Sequence, residues 1–209
     1  MSLVNNFREG TCDLQIAREV ITRDVYRMRA MRAAVAFAVD IGAHIGSWTL
    51  LVKSLWPEAR VLSYEPWPEN YKLLRQNVTT ETVNAAVIGD ATTARCMSRK
   101  CPGKIPNTGA VRLKSDGIPI EVVPISTVLH PAEQVDVLKL DCEGSEVDIL
   151  ETAARLGLLQ RVGYIVGECH QCYVPDAWER IQAALKATHV VEQGRVGRST
   201  SIFFAEARQ

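Results

Sequence analysis

An α/β fold, a parallel sheet with helices on both faces, is predicted by three observations in this 209-residue chain. From Val35 onward, short apolar runs alternate with segments of helical period, the pattern of successive strand and helix units. The first run, AVAFAVD (34–40), is apolar without interruption, as a central strand covered on both sides requires. It leads into VDIGAHIGSWTL (39–50), an acid followed by two glycines, at the strand end where open sheets of this kind bind ligands.

Upstream of the sheet, residues 13–34 carry Leu14, Ala17, Val20, Ile21, Val25, Met28 and Met31 at helical spacing, which predicts one or two leading helices. The arginines between them (18, 23, 27, 29 and 32) read as a solvated helix surface. After the first strand, a helix is expected over Ser47–Leu55, closed by Trp56-Pro57. RVLSYE (60–65) is the second strand, PENYKLLRQNV (68–78) the second helix and VNAAVI (83–88) the third strand. Residues 89–124 break the rhythm with Gly, Pro and Thr, and read as an excursion over the sheet with strand-like pieces at GAVRLK and IPIEVVPI. Lys100, Lys104, Arg112 and Lys114 in this excursion face either an anionic substrate or solvent. Alternation resumes with VDVLKLD as strand, SEVDILETAARLG as helix, VGYIVGE as strand and DAWERIQAALKA as helix. HVVEQGR and STSIFFAEA close the chain; the joint between them, VGRS, is so short that they must run antiparallel. The organisation expected is a helical lead-in over 1–34 and one domain over 35–209.

Composition narrows the function classes. Lys plus Arg and Asp plus Glu both number 24, so no overall positive charge draws the chain to nucleic acid or an acidic membrane, and neither is expected as a partner. The start, MSLVNNFREG, lacks the basic flank and apolar centre of a secretory signal, and a cytoplasmic protein is the expectation. The six cysteines are too sparse for a disulfide scaffold. ECHQCY (168–173) groups Cys169, His170 and Cys172, but no second half-site completes four-coordination, so no metal is expected.

The glycine loop leaves two cofactors open, a nicotinamide dinucleotide and S-adenosyl-L-methionine. A dinucleotide calls for GxGxxG, whereas GAHIGS has His44 and Ser47 at its second and third glycine positions. S-adenosylmethionine carries an ammonium and a sulfonium, which an acid such as Asp40 attracts. Glu65 ends the next strand 19 residues after Gly46, near the offset at which an acid takes both ribose hydroxyls; this serves either cofactor.

VDIGAHIGSWTL, YEPWPENYKLLRQNV, VDVLKLDCEGSEVDILE and IVGECH, in that order, resemble the FkbM family of S-adenosylmethionine-dependent methyltransferases over roughly residues 11–206. The resemblance implies the class I methyltransferase, Rossmann-like seven-stranded sheet with its last strand antiparallel. It implies cofactor binding by Asp40, Gly42, Ala43, Gly46, Glu65 and Asp141, with the loop Val87–Asp90 near adenine. His44 stands where the family often has Asn, and Cys142 where Val is common.

In LKLDCEGSE, Asp141 ends a strand, Gly144 allows a turn, and Ser145 with Asp148 reads as a capping box. Lys139 falls on the same strand face as Asp141 and reads as the neutraliser of a buried carboxylate. Methyl transfer to a hydroxyl gains from a general base; the candidates are His170, just past the strand end at Glu168, together with Asp141 and Glu143. The expected reaction is O-methylation of a small-molecule hydroxyl acceptor, such as a polyketide or glycan. The competing readings are a cofactor-binding or regulatory module without turnover and an NAD-linked oxidoreductase, and a homo-oligomer is compatible with the sequence.

Overall fold

The computed structural model describes residues 4–99, 106–130, 133–196 and 200–208. Its central sheet has seven strands in the order β11-β12-β10-β9-β1-β2-β3. They are β1 Phe37–Ile41, β2 Arg60–Tyr64, β3 Glu81–Val83, β9 Val135–Leu140, β10 Val162–Cys169, β11 His189–Val196 and β12 Ser201–Ala207. β10, β9, β1, β2 and β3 are mutually parallel, and β12 runs antiparallel to both β10 and β11. Chain order reverses between β1 and β9, and this switch point opens a crevice at the carboxyl ends of the two strands.

β1 is buried at all five positions, and its side chains alternate between two cores. Phe37, Val39 and Ile41 pack with Ile149, Leu150, Ile181 and Leu185, from α5 (Glu146–Arg155) and α6 (Ala177–Leu185). Ala38 packs with Trp48, Leu51 and Val52, from α2 (Ser47–Leu55). Leu51 and Val52 are fully enclosed, each contributing about 1.5–3 kcal/mol of burial. Tyr26 and Met28 of the lead-in belong to this second core, so the segment before the sheet is packed into the same body.

Three expectations need correction. The lead-in is a five-residue helix, α1 (Asp13–Ala17), continued by a wider π-type turn to Thr22 and a separate 3₁₀ turn at Met28–Ala30. The third strand does not run from 83 to 88. β3 ends at Val83, and β4 (Ala86–Ile88) leaves the main sheet to pair in parallel with β8 (Val122–Pro124). Between them, Asn84 donates its amide to the carbonyls of Glu65 and Pro66, which ties the chain away from the ladder. Finally, Ser145 and Asp148 form no capping box. Ser145 has helical dihedrals and makes no cap bond, while Glu146 accepts the N–H groups of Cys142 (2.6 Å) and Gly144 (3.0 Å). Asp148 instead accepts Ala91 N–H and the Thr92 hydroxyl, holding the start of the excursion against α5.

The excursion folds into a small antiparallel sheet in which β5 (Cys96–Arg99) lies between β6 (Val111–Lys114) and β7 (Ile118–Pro119). α3 (Pro68–Asn77) follows β2, and α4 (Ile125–Val128) returns the chain to the main sheet. Lys100 and Lys104 lie outside the described residues. No helix among the described residues is long and apolar enough to cross a membrane.

Candidate active site

A cavity of about 430 Å³ occupies the switch point. Its floor comes from the strand ends and loops at Ile41, Gly42, His44, Glu65 and Asp141. Ile16, Val20 and Tyr26 of the lead-in and Met97, Val111 and Leu113 of the excursion cover it. Gly42 shapes the floor by necessity. Its φ is +81°, and a Cβ there would sit 1.9 Å from the carbonyl oxygen of Asp141, so only glycine lets β1 and β9 end side by side. Gly46, also at positive φ, is required by packing, because a Cβ would strike Val78 and Leu74.

Gly42, Glu65 and Asp141 lie on the cavity wall, whereas Asp40, Ala43 and Gly46 do not border it. The Asp40 carboxylate is fully enclosed, bonded by Lys139 Nζ at 2.9 Å and by Thr49 Oγ1 at 2.8 Å. Lys139 also donates to Gly42 O at 2.8 Å, so this buried pair braces the glycine loop from beneath. Burial alone would lower the Lys139 pKa, but the Asp40 charge outweighs it and keeps the ammonium protonated.

Glu65 accepts the N–H groups of His44 (2.8 Å) and Trp67 (2.9 Å), and the Asn70 amide reaches it at 3.3 Å. Burial pushes its pKa up to about 7 against the pull of those donors. Around it lies a polar network that composition did not announce. Asp13 accepts two bonds from the Arg8 side chain and one from Thr108 Oγ1 at 2.5 Å, while His44 Nε2 lies 3.0 Å from the same hydroxyl. Lead-in, glycine loop and excursion meet in this knot. His44 sits at φ +52°, a conformation that Asn and His tolerate better than most residues.

Across the cavity, Asp141, Glu143 and Glu168 present carboxylates on the wall. Tyr26 donates its hydroxyl to Asp141 at 3.0 Å. Burial raises Glu143 to about 7 and Glu168 to about 8, Asp141 adding to both. His170 lies behind them, 3% exposed, with Nδ1 2.9 Å from Glu146. Burial would depress the ring's pKa, yet the surrounding carboxylates, Glu146 foremost, push it well above its usual value. A ring so placed holds a proton rather than accepting one. Cys169 is buried in the first core, and Cys172 is exposed.

The model of the "Methyltransferase FkbM domain" matches residues 40–187, more than half of the chain. The chain belongs to the FkbM methyltransferase family. "Methyltransferase sdnD" of Sordaria araneosa is 26% identical over 178 residues, 65% of this chain and 67% of the relative. "Methyltransferase 1" of Beauveria bassiana is 26% identical over 142 residues, 55% of this chain and 57% of the relative. Among solved structures, a precorrin-6y C5,15-methyltransferase from Geobacter metallireducens superposes with a TM-score of 0.55 at 14% identity, covering 98% of this chain and 94% of its own. At that identity the likeness concerns the fold, which is the class I methyltransferase architecture.

FkbM membership and this fold imply use of S-adenosylmethionine. The cavity suits it, since the acids Glu65 and Asp141 on its wall match a cationic nucleoside. Tyr26, Glu146 and Asn70 escaped the sequence reading, because only the fold brings them to the site. Glu168 carried a signal, ending its strand as Asp40 and Asp141 nearly do.

Proposed function

We infer that this FkbM-family chain O-methylates a hydroxyl on a small-molecule acceptor, a polyketide or glycan being of suitable chemistry. The observation that carries this reading is the covered cavity, small-molecule in size, whose far wall bears three carboxylates and, among the described residues, no Lys or Arg. A phosphate backbone would be repelled by such a wall, whereas a neutral hydroxyl finds proton acceptors there.

S-adenosylmethionine, when bound, supplies a methyl group activated by its sulfonium. Glu65 would then hold the ribose hydroxyls, and Asp141, oriented by Tyr26, would attract the ammonium group. Gly42 lets the two strand ends close together beneath the ligand, with Ala43 and Gly46 setting the loop and the Asp40–Lys139 pair bracing it. Glu143, on the wall beside Asp141, takes the acceptor's proton, and His170 keeps the carboxylates in place through its charge. Lead-in and excursion exclude water and hold the acceptor in line, which is the larger part of the catalysis.

The test is a mass-spectrometric screen of polyphenol, polyketide and glycan hydroxyls beside matched amines, with S-adenosylmethionine as donor. The reading predicts gain of one methyl on oxygen, abolished in Glu143→Gln. Methylation confined to nitrogen or carbon contradicts it. No product from a protein that binds S-adenosylhomocysteine would favour a module without turnover.

A further inference from the structure

We propose that Asp141, Glu168 and His170 form a divalent-cation site on the cavity wall, of the kind that takes Mn²⁺ or Mg²⁺. One ligand atom from each of the three lies within 4.8 Å of the others. His170 Nε2 is 3.5 Å from Glu168 Oε2 and 3.9 Å from Asp141 Oδ1. Ligands about 2.1 Å from one ion stand about 3–4 Å apart, so the pocket is already close to coordination size.

A second observation points to a ligand. His170 is enclosed, and Nε2 is aimed into the cluster, 3.6 Å from Glu143 and no nearer to the other carboxylates than the distances above; the ion takes the place of the Nε2 proton, which is released on binding. Its other nitrogen is fixed at 2.9 Å by Glu146, whose remaining oxygen is held by Gly144 N–H. A carboxylate that locks Nδ1 and so presents Nε2 is the outer-shell arrangement of metal-binding histidines. Tyr173 stacks on the same ring, 5.8 Å between centroids, and Arg112 covers Tyr173 at 3.6 Å, so the imidazole cannot turn away.

The donor set names the class of ion. Two carboxylate oxygens suit Mg²⁺ and Mn²⁺, and a single imidazole favours Mn²⁺ between them. Asp141 and Glu168 border the cavity, which leaves the open positions of the ion facing the acceptor. There the ion would polarise the acceptor's hydroxyl, whose proton passes to Glu143 as the bond to the methyl carbon forms and the carbon–sulfur bond breaks. That role rests on the methyl-transfer reading above; the site itself does not.

The experiment is titration of the full chain with Mn²⁺, followed by the electron paramagnetic resonance of the free ion, beside calorimetry with S-adenosylhomocysteine. Wild-type protein should bind one Mn²⁺ per chain, with competition by Mg²⁺. Glu168→Gln should weaken Mn²⁺ binding at least tenfold while still binding S-adenosylhomocysteine, which shows that the variant is folded. Asp141→Asn, as a second variant, should also weaken the ion. Wild-type protein that binds the nucleoside but no Mn²⁺, or Mn²⁺ binding unchanged in both variants, overturns the site and leaves the methyltransferase reading standing. Mn²⁺ binding without nucleoside binding does the reverse, and binding of neither overturns both.

Discussion

Glu65 and His44 carry the sharpest expectations for single residues. The Glu65 carboxyl is raised to about 7 from 4.5 by burial, so the folded chain binds its proton more tightly than the unfolded one. The stability this contributes is complete below about pH 4.5 and is lost as pH rises through about 7, on the order of 3 kcal/mol in all. Urea unfolding across pH 4–8 should therefore show a decline in wild type that Glu65→Gln makes shallower, the remainder coming from Glu143 and Glu168; parallel profiles would contradict it. At His44 the backbone demands positive φ. His44→Asn should keep the loop, while His44→Val should lower stability by about 1–3 kcal/mol, read from the melting midpoint. The Asn common in the family at this position is explained by the same dihedral.

Elements are joined by the knot of Arg8, Asp13, Thr108 and His44, which ties lead-in to excursion over the cavity. Asp13 is fully enclosed, and although burial raises its pKa, the bonds from His44, Arg8 and Thr108 hold it well below the usual range. Asp13→Ala leaves the Arg8 guanidinium without its buried partner and should cost about 3 kcal/mol. Hydrogen exchange should then quicken at residues 8–17 and 106–111 together; a change confined to one segment would mean that they are not latched. This knot was not legible in the sequence, because its members are far apart in the chain and each is ordinary alone. The regular elements were legible where period and punctuation agree: Ser47–Leu55 stands as read, between Gly46 and Trp56-Pro57. VNAAVI misled because an apolar run reports burial, and Ala86–Ile88 are buried in a different sheet from β3. SEVD misled because Glu146, next to the expected cap, takes the N–H groups of Cys142 and Gly144 ahead of the helix, while Asp148 is engaged by Ala91 and Thr92.

For the whole molecule, the acids at the strand ends are visible in the sequence, and the strand order decides how they are used. Strands that end within one residue of Asp40, Glu65, Asp141 and Glu168 put four acids along one end of the sheet, and topology divides their labour. Asp40 turns inward to Lys139, and the other three line the cavity. A residue list could place all four at the edge, but only the packing of α2 and the lead-in decides which of them meets a ligand. Gly42→Ala tests how tightly that edge is set, since its Cβ would overlap the Asp141 carbonyl. The variant should lose nucleoside affinity by more than tenfold and melt earlier than wild type. The most direct measurement of the central claim, that this edge is a cofactor site, is calorimetric titration with S-adenosylhomocysteine, with NAD as the control ligand and Glu65→Ala in parallel. One nucleoside bound per chain, lost in Glu65→Ala and absent for NAD, is the predicted result. A folded chain that ignores the nucleoside, or binds it equally without Glu65, would contradict the account.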